Sequence, residues 1–174
     1  MTNVNVDIDQ LLDKITKGLT ALLQARHATD VVMIGIHTGG VWIAQRLHAN
    51  LGLTEPLGTL DISFYRDDFT RMGMNPQVKP SQLPMTIDNR HIILVDDVLY
   101  TGRTVRAALN EIFDYGRPAT VALATLVERS GRELPIQADV IGMHLELAPN
   151  QQVKLQGPDP LGLAITETPP SRPA

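Results

Sequence analysis

The sequence predicts an α/β fold, a mainly parallel sheet flanked by helices. Three observations carry that expectation. Residues 31–36, 92–95 and 119–127 are short apolar runs rich in β-branched side chains, the composition of strands covered on both faces. Each run ends at small or polar residues, at 37–40, 96–102 and 128–133. Helical three-to-four spacing of apolar residues follows the first two turns, so strand, turn and helix alternate as in parallel βαβ units.

Taken in order, residues 1–7 are polar and loose until something tethers them. Ile8, Leu11, Leu12, Ile15, Leu19, Leu22 and Leu23 then form one helical stripe, with Asp7 or Asp9 placed to cap it. Lys14 and Lys17 share part of the opposite face. After the strand at 31–36, the turn His37-Thr38-Gly39-Gly40 leads into a helix from Val41 to about Leu51, burying Val41, Ala44 and Leu47 with Trp42 or His48 at its margins. Residues 57–65 alternate as a strand through Leu57, Leu60, Ile62 and Phe64. Residues 66–86 lack periodicity and read as a lid, with Arg66, Arg71 and Lys79 as the cations it would bring; a plain surface hairpin is the alternative.

A helix opens at Arg103, repeats Val105, Ala108, Leu109 and Ile112, and stops at Gly116 with Pro118 beyond. A strand at 119–127 ends at Glu128-Arg129-Ser130-Gly131-Arg132-Glu133, where Arg129 is the cation expected near a ligand and Arg132 is expected to pair with Glu128 or Glu133. A short strand at 139–143 follows, and 153–155 and 161–165 alternate weakly, as in a small appendage over the crevice. Residues 8–167 make one domain, and the proline-rich 168–174 form a disordered tail.

Composition narrows the function classes. At 174 residues and 43% hydrophobic content the chain can bury one sizeable core. A net charge of −4 provides no global attraction to nucleic acid, although a local basic face remains compatible with it. Without cysteine there are no disulfides or thiolate metal sites, and the five histidines show no ligand spacing, so the chain offers no metal site of its own. No apolar run approaches the ~18 residues of a membrane span, and a cytoplasmic protein is expected.

The most informative stretch is 91–108, His-Ile-Ile-Leu-Val-Asp-Asp-Val-Leu-Tyr-Thr-Gly-Arg-Thr-Val-Arg-Ala-Ala. Asp96 and Asp97 fall at the carboxyl edge of a buried strand, where open α/β sheets bind ligands, and offer acceptors to vicinal hydroxyls. Thr101, Gly102 and Thr104 surround the start of the following helix, whose unpaired N–H groups favour an anion. The expected ligand therefore carries a phosphate about one sugar away from its hydroxyls. The glycine turn at 37–40 supplies a second anion site on the same edge.

The string resembles the phosphoribosyl-diphosphate (PRPP) signature of the type I phosphoribosyltransferases, and its Val-Leu-Tyr-Thr-Gly-Arg-Thr form is similar to the pyrimidine-operon regulatory family, PyrR. The resemblance covers about 9–145 and implies the type I phosphoribosyltransferase fold, with a flexible lid and a small hood. It implies that uracil and PRPP give UMP and diphosphate, with Mg²⁺ arriving on the substrate. Asp96 and Asp97, with Arg66 of the lid, are then the catalytic residues. Val98, Leu99, Tyr100, Thr101, Gly102, Arg103 and Thr104 hold the 5′-phosphate end of PRPP, and Thr38, Gly39 and Gly40 hold its diphosphate. Arg129 and Met143 belong to the base pocket.

The chain departs from the family in places. The diphosphate turn usually reads Thr-Arg-Gly, and Gly39 in place of the arginine implies weaker transfer than binding. The stretch 128–135 is similar to Asp-Arg-Gly-His-Arg-Glu-Leu-Pro, with Gly131 replacing the histidine. Regulation through leader RNA of a pyrimidine operon would fall to Lys14, Lys17 and Arg132, with UMP or UTP as signal, but Gln137 and Met143 stand where arginine and lysine are usual. A catalytically weak sensor acting through RNA or a protein partner is the alternative. The family is usually homo-oligomeric.

Overall fold

A computed structural model describes residues 1–63, 81–83 and 85–169. Most of the lid expected at 66–86, including Arg66, Arg71 and Lys79, and residues 170–174 of the expected tail lie outside the described residues.

The elements run β1 (Thr2–Asn3), α1 (Ile8–Ala25), β2 (Val31–Ile36), α2 (Gly39–Leu51), β3 (Gly58–Leu60), β4 (His91–Leu99), α3 (Arg103–Tyr115), β5 (Thr120–Arg129), β6 (Val140–Leu145), β7 (Gln151–Gln156) and β8 (Gly162–Glu167). Strands β3-β2-β4-β5-β6 form one parallel sheet, and β1-β8-β7 form a small antiparallel one. Chain order reverses between β2 and β4, so the connections leaving their carboxyl ends part in opposite directions and open a crevice there.

Strict alternation sorts the strand side chains between two cores. Val32, Ile34, Ile36, Ile92, Leu94 and Leu123 pack with Val105, Ala108 and Ile112 of α3. Met33, Ile93, Val95, Ala124 and Leu126 pack with Leu12, Ile15 and Leu19 of α1 and Ile43 and Leu47 of α2, and this second core continues into Val153 of β7 and Leu163 of β8. The small sheet is thus a hood seated on the same hydrophobic layer that positions α2.

Several boundaries differ from the sequence expectation for physical reasons. Residues 1–7 are tethered: Thr2 pairs with Ile165, Asn3 with Ala164, and the Val4 N–H donates to the Leu163 carbonyl at 2.8 Å. The cap of α1 is Asp7, whose carboxylate accepts from the Gln10 N–H. Strand β3 stops at Leu60, because the Asp61 carboxylate accepts the Ser63 N–H at 3.0 Å and turns the chain. Strand β4 runs on to Leu99, so Asp96 and Asp97 lie inside it.

Gly116 ends α3, but not as a left-handed cap: its φ is 171°, extended backbone open to any residue. Space is what it needs. A Cβ there would stand 2.7 Å from the Asp88 carboxylate, which accepts the Arg117 N–H at 2.7 Å, and 2.9 Å from Ile87 Cγ1. Gly116→Ala is therefore expected to destabilise the fold by about 1–3 kcal/mol through overpacking. Urea denaturation measures this, and an alanine variant as stable as wild type would show that the 87–88 segment yields freely.

Candidate functional site

The two turns read from the sequence meet. Asp96 is buried, 5% exposed, and its Oδ1 accepts the Asp97 N–H at 2.9 Å; Asp97 Oδ1 in turn accepts the Val98 N–H at 2.9 Å. Each carboxylate is thus oriented in part by the next backbone amide. Asp97 faces the 37–40 turn so closely that a Cβ on Gly39 would fall 2.2 Å from its Oδ2. A Cβ on Gly40 would fall 2.6 Å from the Val95 carbonyl oxygen and 3.0 Å from Asp96 Cα. The helix that follows begins at Gly39 rather than Val41, so both glycines belong to its first turn and contribute its unpaired N–H groups.

On the other side of Asp96 is a cavity of about 100 Å³, lined by Asp96, Val98, Leu99, Tyr100, Thr101, Gly102, Thr104 and Val105. Gly102 makes it possible: at φ 94° it occupies the left-handed region and starts α3 over the cavity. Thr101 Oγ1 accepts the Arg103 N–H at 3.2 Å, which leaves its own hydrogen to donate. The loop is held from behind, since the Thr101 carbonyl accepts from the N–H groups of Glu133 and Leu134, both at 3.0 Å. Arg103 Nε meets Glu133 at 3.1 Å, an exposed pair of little energetic weight.

The remaining candidates separate. Arg129, 6% exposed, stacks its guanidinium 3.8 Å from the centre of the Tyr100 ring and donates to the Gln151 carbonyl at 2.7 Å. Arg129 also lines a cavity of about 290 Å³, together with Tyr100, Arg132, Gln137 and His144. Met143 does not line that cavity; it packs into the core beneath α1, because strand alternation turns it opposite His144. Arg132 pairs with neither expected partner: Glu128 meets His144 Nδ1 at 2.9 Å and Glu133 is held by Arg103. Lys14, Lys17 and Arg132 are all exposed, and Lys14 donates to the Gly142 carbonyl at 2.9 Å. Arg66 lies outside the described residues. The sequence reading did not find the Gln151 and Thr101 carbonyl acceptors, and no side-chain signal marks them, because any residue type supplies one.

No group of three or more His, Cys, Asp or Glu among the described residues is arranged to hold a metal ion. No helix among them is long and apolar enough to cross a membrane.

Residues 7–159 match the phosphoribosyl transferase domain family. A bifunctional protein PyrR of Nitrosococcus oceani is 65% identical over 164 residues, 93% of each chain. One of Pseudomonas paraeruginosa is 56% identical over 154 residues, 88% of this chain and 91% of its own. Among solved structures, a hypoxanthine-guanine phosphoribosyltransferase of Bacillus anthracis superposes with a TM-score of 0.66 at 17% identity, covering 87% of this chain and 86% of its own. A Trypanosoma cruzi hypoxanthine phosphoribosyltransferase in complex with IMP gives 0.65 at 18%, covering 87% and 82%. At those identities the structural likeness speaks for the fold.

The Gly39 contact yields a prediction. Placing an arginine at 39 should destabilise the fold by about 1–3 kcal/mol through overpacking against the Asp97 carboxylate. Urea denaturation of Gly39→Arg reads it; an unchanged midpoint would show that the carboxylate gives way freely.

Proposed function

The chain belongs to the phosphoribosyl transferase domain family, and from that premise we propose that it is a pyrimidine-responsive regulator that also makes UMP and diphosphate from uracil and PRPP. The observation that supports the reading most directly is the pairing of Asp96 with an adjoining anion-sized cavity at the reversal point of the sheet. One carboxylate beside a phosphate cradle and a second against a glycine turn match the three parts of PRPP: phosphate, ribose and diphosphate.

In the reaction, the bond from ribose C1 to the diphosphate oxygen breaks and a bond from C1 to uracil N1 forms. The diphosphate leaves with the bonding electron pair, and the N1 proton is lost. Positive charge develops on the ribose, so the protein's work is orientation and electrostatic stabilisation rather than supply of a nucleophile. Asp96 and Asp97 would hold the ribose hydroxyls, and their negative charge favours the cationic ring. Backbone N–H groups at 101–104, with the Thr101 and Thr104 hydroxyls, would hold the 5′-phosphate. Gly39 and Gly40 would present their amides to the diphosphate.

Two carboxylates, with no third ligand group among the described residues, suit an ion that arrives on phosphate oxygens. Asp96 and Asp97 would stand beside such an ion, which when bound would supply charge neutralisation for the diphosphate. The uracil ring would lie on the Tyr100 side of the crevice, under the hood. For the regulatory role, the exposed Lys14, Lys17 and Arg132 are the cations assigned to a leader transcript. A weak sensor of UMP or UTP acting through a protein partner is the alternative that an assay must separate. A homo-oligomer is proposed with it.

Asp97→Asn keeps the shape and removes the charge. It should weaken PRPP binding by more than about tenfold, since hydrogen bonds to charged groups contribute about 1.5–3 kcal/mol each. Calorimetry with PRPP checks this, and unchanged affinity removes the assignment of Asp97. Diphosphate release from PRPP, assayed over several bases, should depend on uracil. Release with a purine base instead would overturn the base assignment, and no release with any base leaves the sensor reading, for which salt-dependent leader RNA binding is the discriminating measurement.

A further inference from the structure

Arg129 is a buried cation with an unusual set of partners. Among the described residues it forms no ion pair, and the neighbouring Glu128 is engaged by His144. Its guanidinium is held by the Tyr100 ring at 3.8 Å, by the Gln151 carbonyl at 2.7 Å and by the Ser130 carbonyl at 3.2 Å. A cation buried without partners is strongly unfavourable, and here neutral acceptors and a ring face take the place of a carboxylate. The three contacts belong to three parts of the site. Tyr100 is in the phosphate loop, Gln151 opens β7 of the hood, and Ser130 continues Arg129's own strand.

Tyr100 is also fixed from its edge. Gly131, at φ 116°, passes so close that a Cβ there would lie 2.5 Å from Tyr100 Cε2. The ring is therefore held between the guanidinium and a glycine backbone, while its loop lines the phosphate cavity on one side and the larger cavity on the other. The hood has a second seat at the opposite end of its hairpin. A Cβ at Gly157 would stand 2.7 Å from Trp42 Cε3, so the β7–β8 turn lies against the indole at the start of α2.

The geometry points to Arg129 as a positioning residue that sets the hood and the phosphate loop relative to one another, rather than as a contact to the base. This rests on the phosphoribosyl-transfer reading. With its guanidinium turned to Tyr100 and two backbone carbonyls, Arg129 acts on substrate through the elements it joins. Its loss loosens the cradle for the 5′-phosphate even when no base is present, whereas loss of a base contact affects only the base.

The test uses the full chain with Arg129→Met, Arg129→Lys and Tyr100→Leu, read by calorimetry with PRPP alone, by steady-state kinetics and by emission of the chain's one tryptophan, Trp42. Arg129→Met is expected to weaken PRPP binding about tenfold, from the stacking and charged hydrogen bonds removed, and to shift Trp42 emission as the hood is released. Arg129→Lys, which keeps the charge without the planar stack, should fall between. If Arg129→Met does not fold, the cycle of Arg129→Lys with Tyr100→Leu decides: the pair should lose less than the sum of the two single losses. Wild-type PRPP affinity and emission in Arg129→Met, with only the KM for uracil raised, would make Arg129 a base contact and overturn the inference, as would strict additivity in the cycle. A wild-type chain that binds no PRPP refutes the transfer reading separately, and unshifted emission in Arg129→Met would then overturn the coupling as well.

Discussion

The site depends on how closely a turn can approach a carboxylate. The first turn of α2 lies against the end of β4 with no room for a Cβ at Gly39, where Asp97 Oδ2 would be 2.2 Å away, or at Gly40, where the Val95 carbonyl would be 2.6 Å away. Backbone amides and acidic side chains can share one small volume only if nothing separates them. Two consecutive glycines meet that condition. A side chain at 39 would meet the Asp97 carboxylate, which would have to turn aside to admit it.

The sheet determines which turns meet. Strands β2 and β4 pair in register from Val31 with His91 to Gly35 with Val95, so their carboxyl ends are level and the turns leaving them are neighbours. The pairing of β4 with β5 continues past the acids to Leu99 with Glu128, which brings the 128–134 arm up behind the phosphate loop. The arm then fastens that loop through the Thr101 carbonyl. A parallel sheet with reversed chain order thus concentrates three connections on one edge, and the hydrophobic layer shared with Val153 and Leu163 places the hood above them.

The sheet strands and the two turns that open α2 and α3 were legible because they rest on local patterns: apolar runs for doubly covered strands, and glycine and threonine at helix starts. What was not legible depends on residues far apart in the chain. Strand β3 reads longer than it is, since only the structure shows the Asp61 carboxylate bonding to the Ser63 N–H in place of a ladder. Gly116 looks like a left-handed cap, yet its constraint comes from Asp88 and Ile87, some thirty residues earlier. Met143 reads as a pocket residue but packs against the core under α1, and Lys14 has a carbonyl partner, that of Gly142, far along the chain. The tether on residues 2–4 comes from β8, near the other end of the chain. In each case the deciding partner is a backbone group or a distant side chain, and neither leaves a periodic trace.

Arg129 shows why the distinction matters for function. From sequence it is a cation at the carboxyl end of a strand, where a ligand is expected, and a direct contact is the simplest inference. In the fold it is nearly enclosed, with its donors turned to Gln151 and Ser130 and its face to Tyr100. These bonds engage two of its five N–H donors and Arg129 also lines the larger cavity, so its positioning role rests on the elements it joins rather than on a lack of donors. Enclosure by neutral groups leaves the positive charge unpaired among the described residues while fixing its place. Such a charge contributes to the field of the crevice without a rearrangement at the moment an anion arrives, which is the condition under which preorganised electrostatics are most effective. A cation embedded behind the 99–102 loop places positive potential beside the crevice without crowding Asp96 and Asp97.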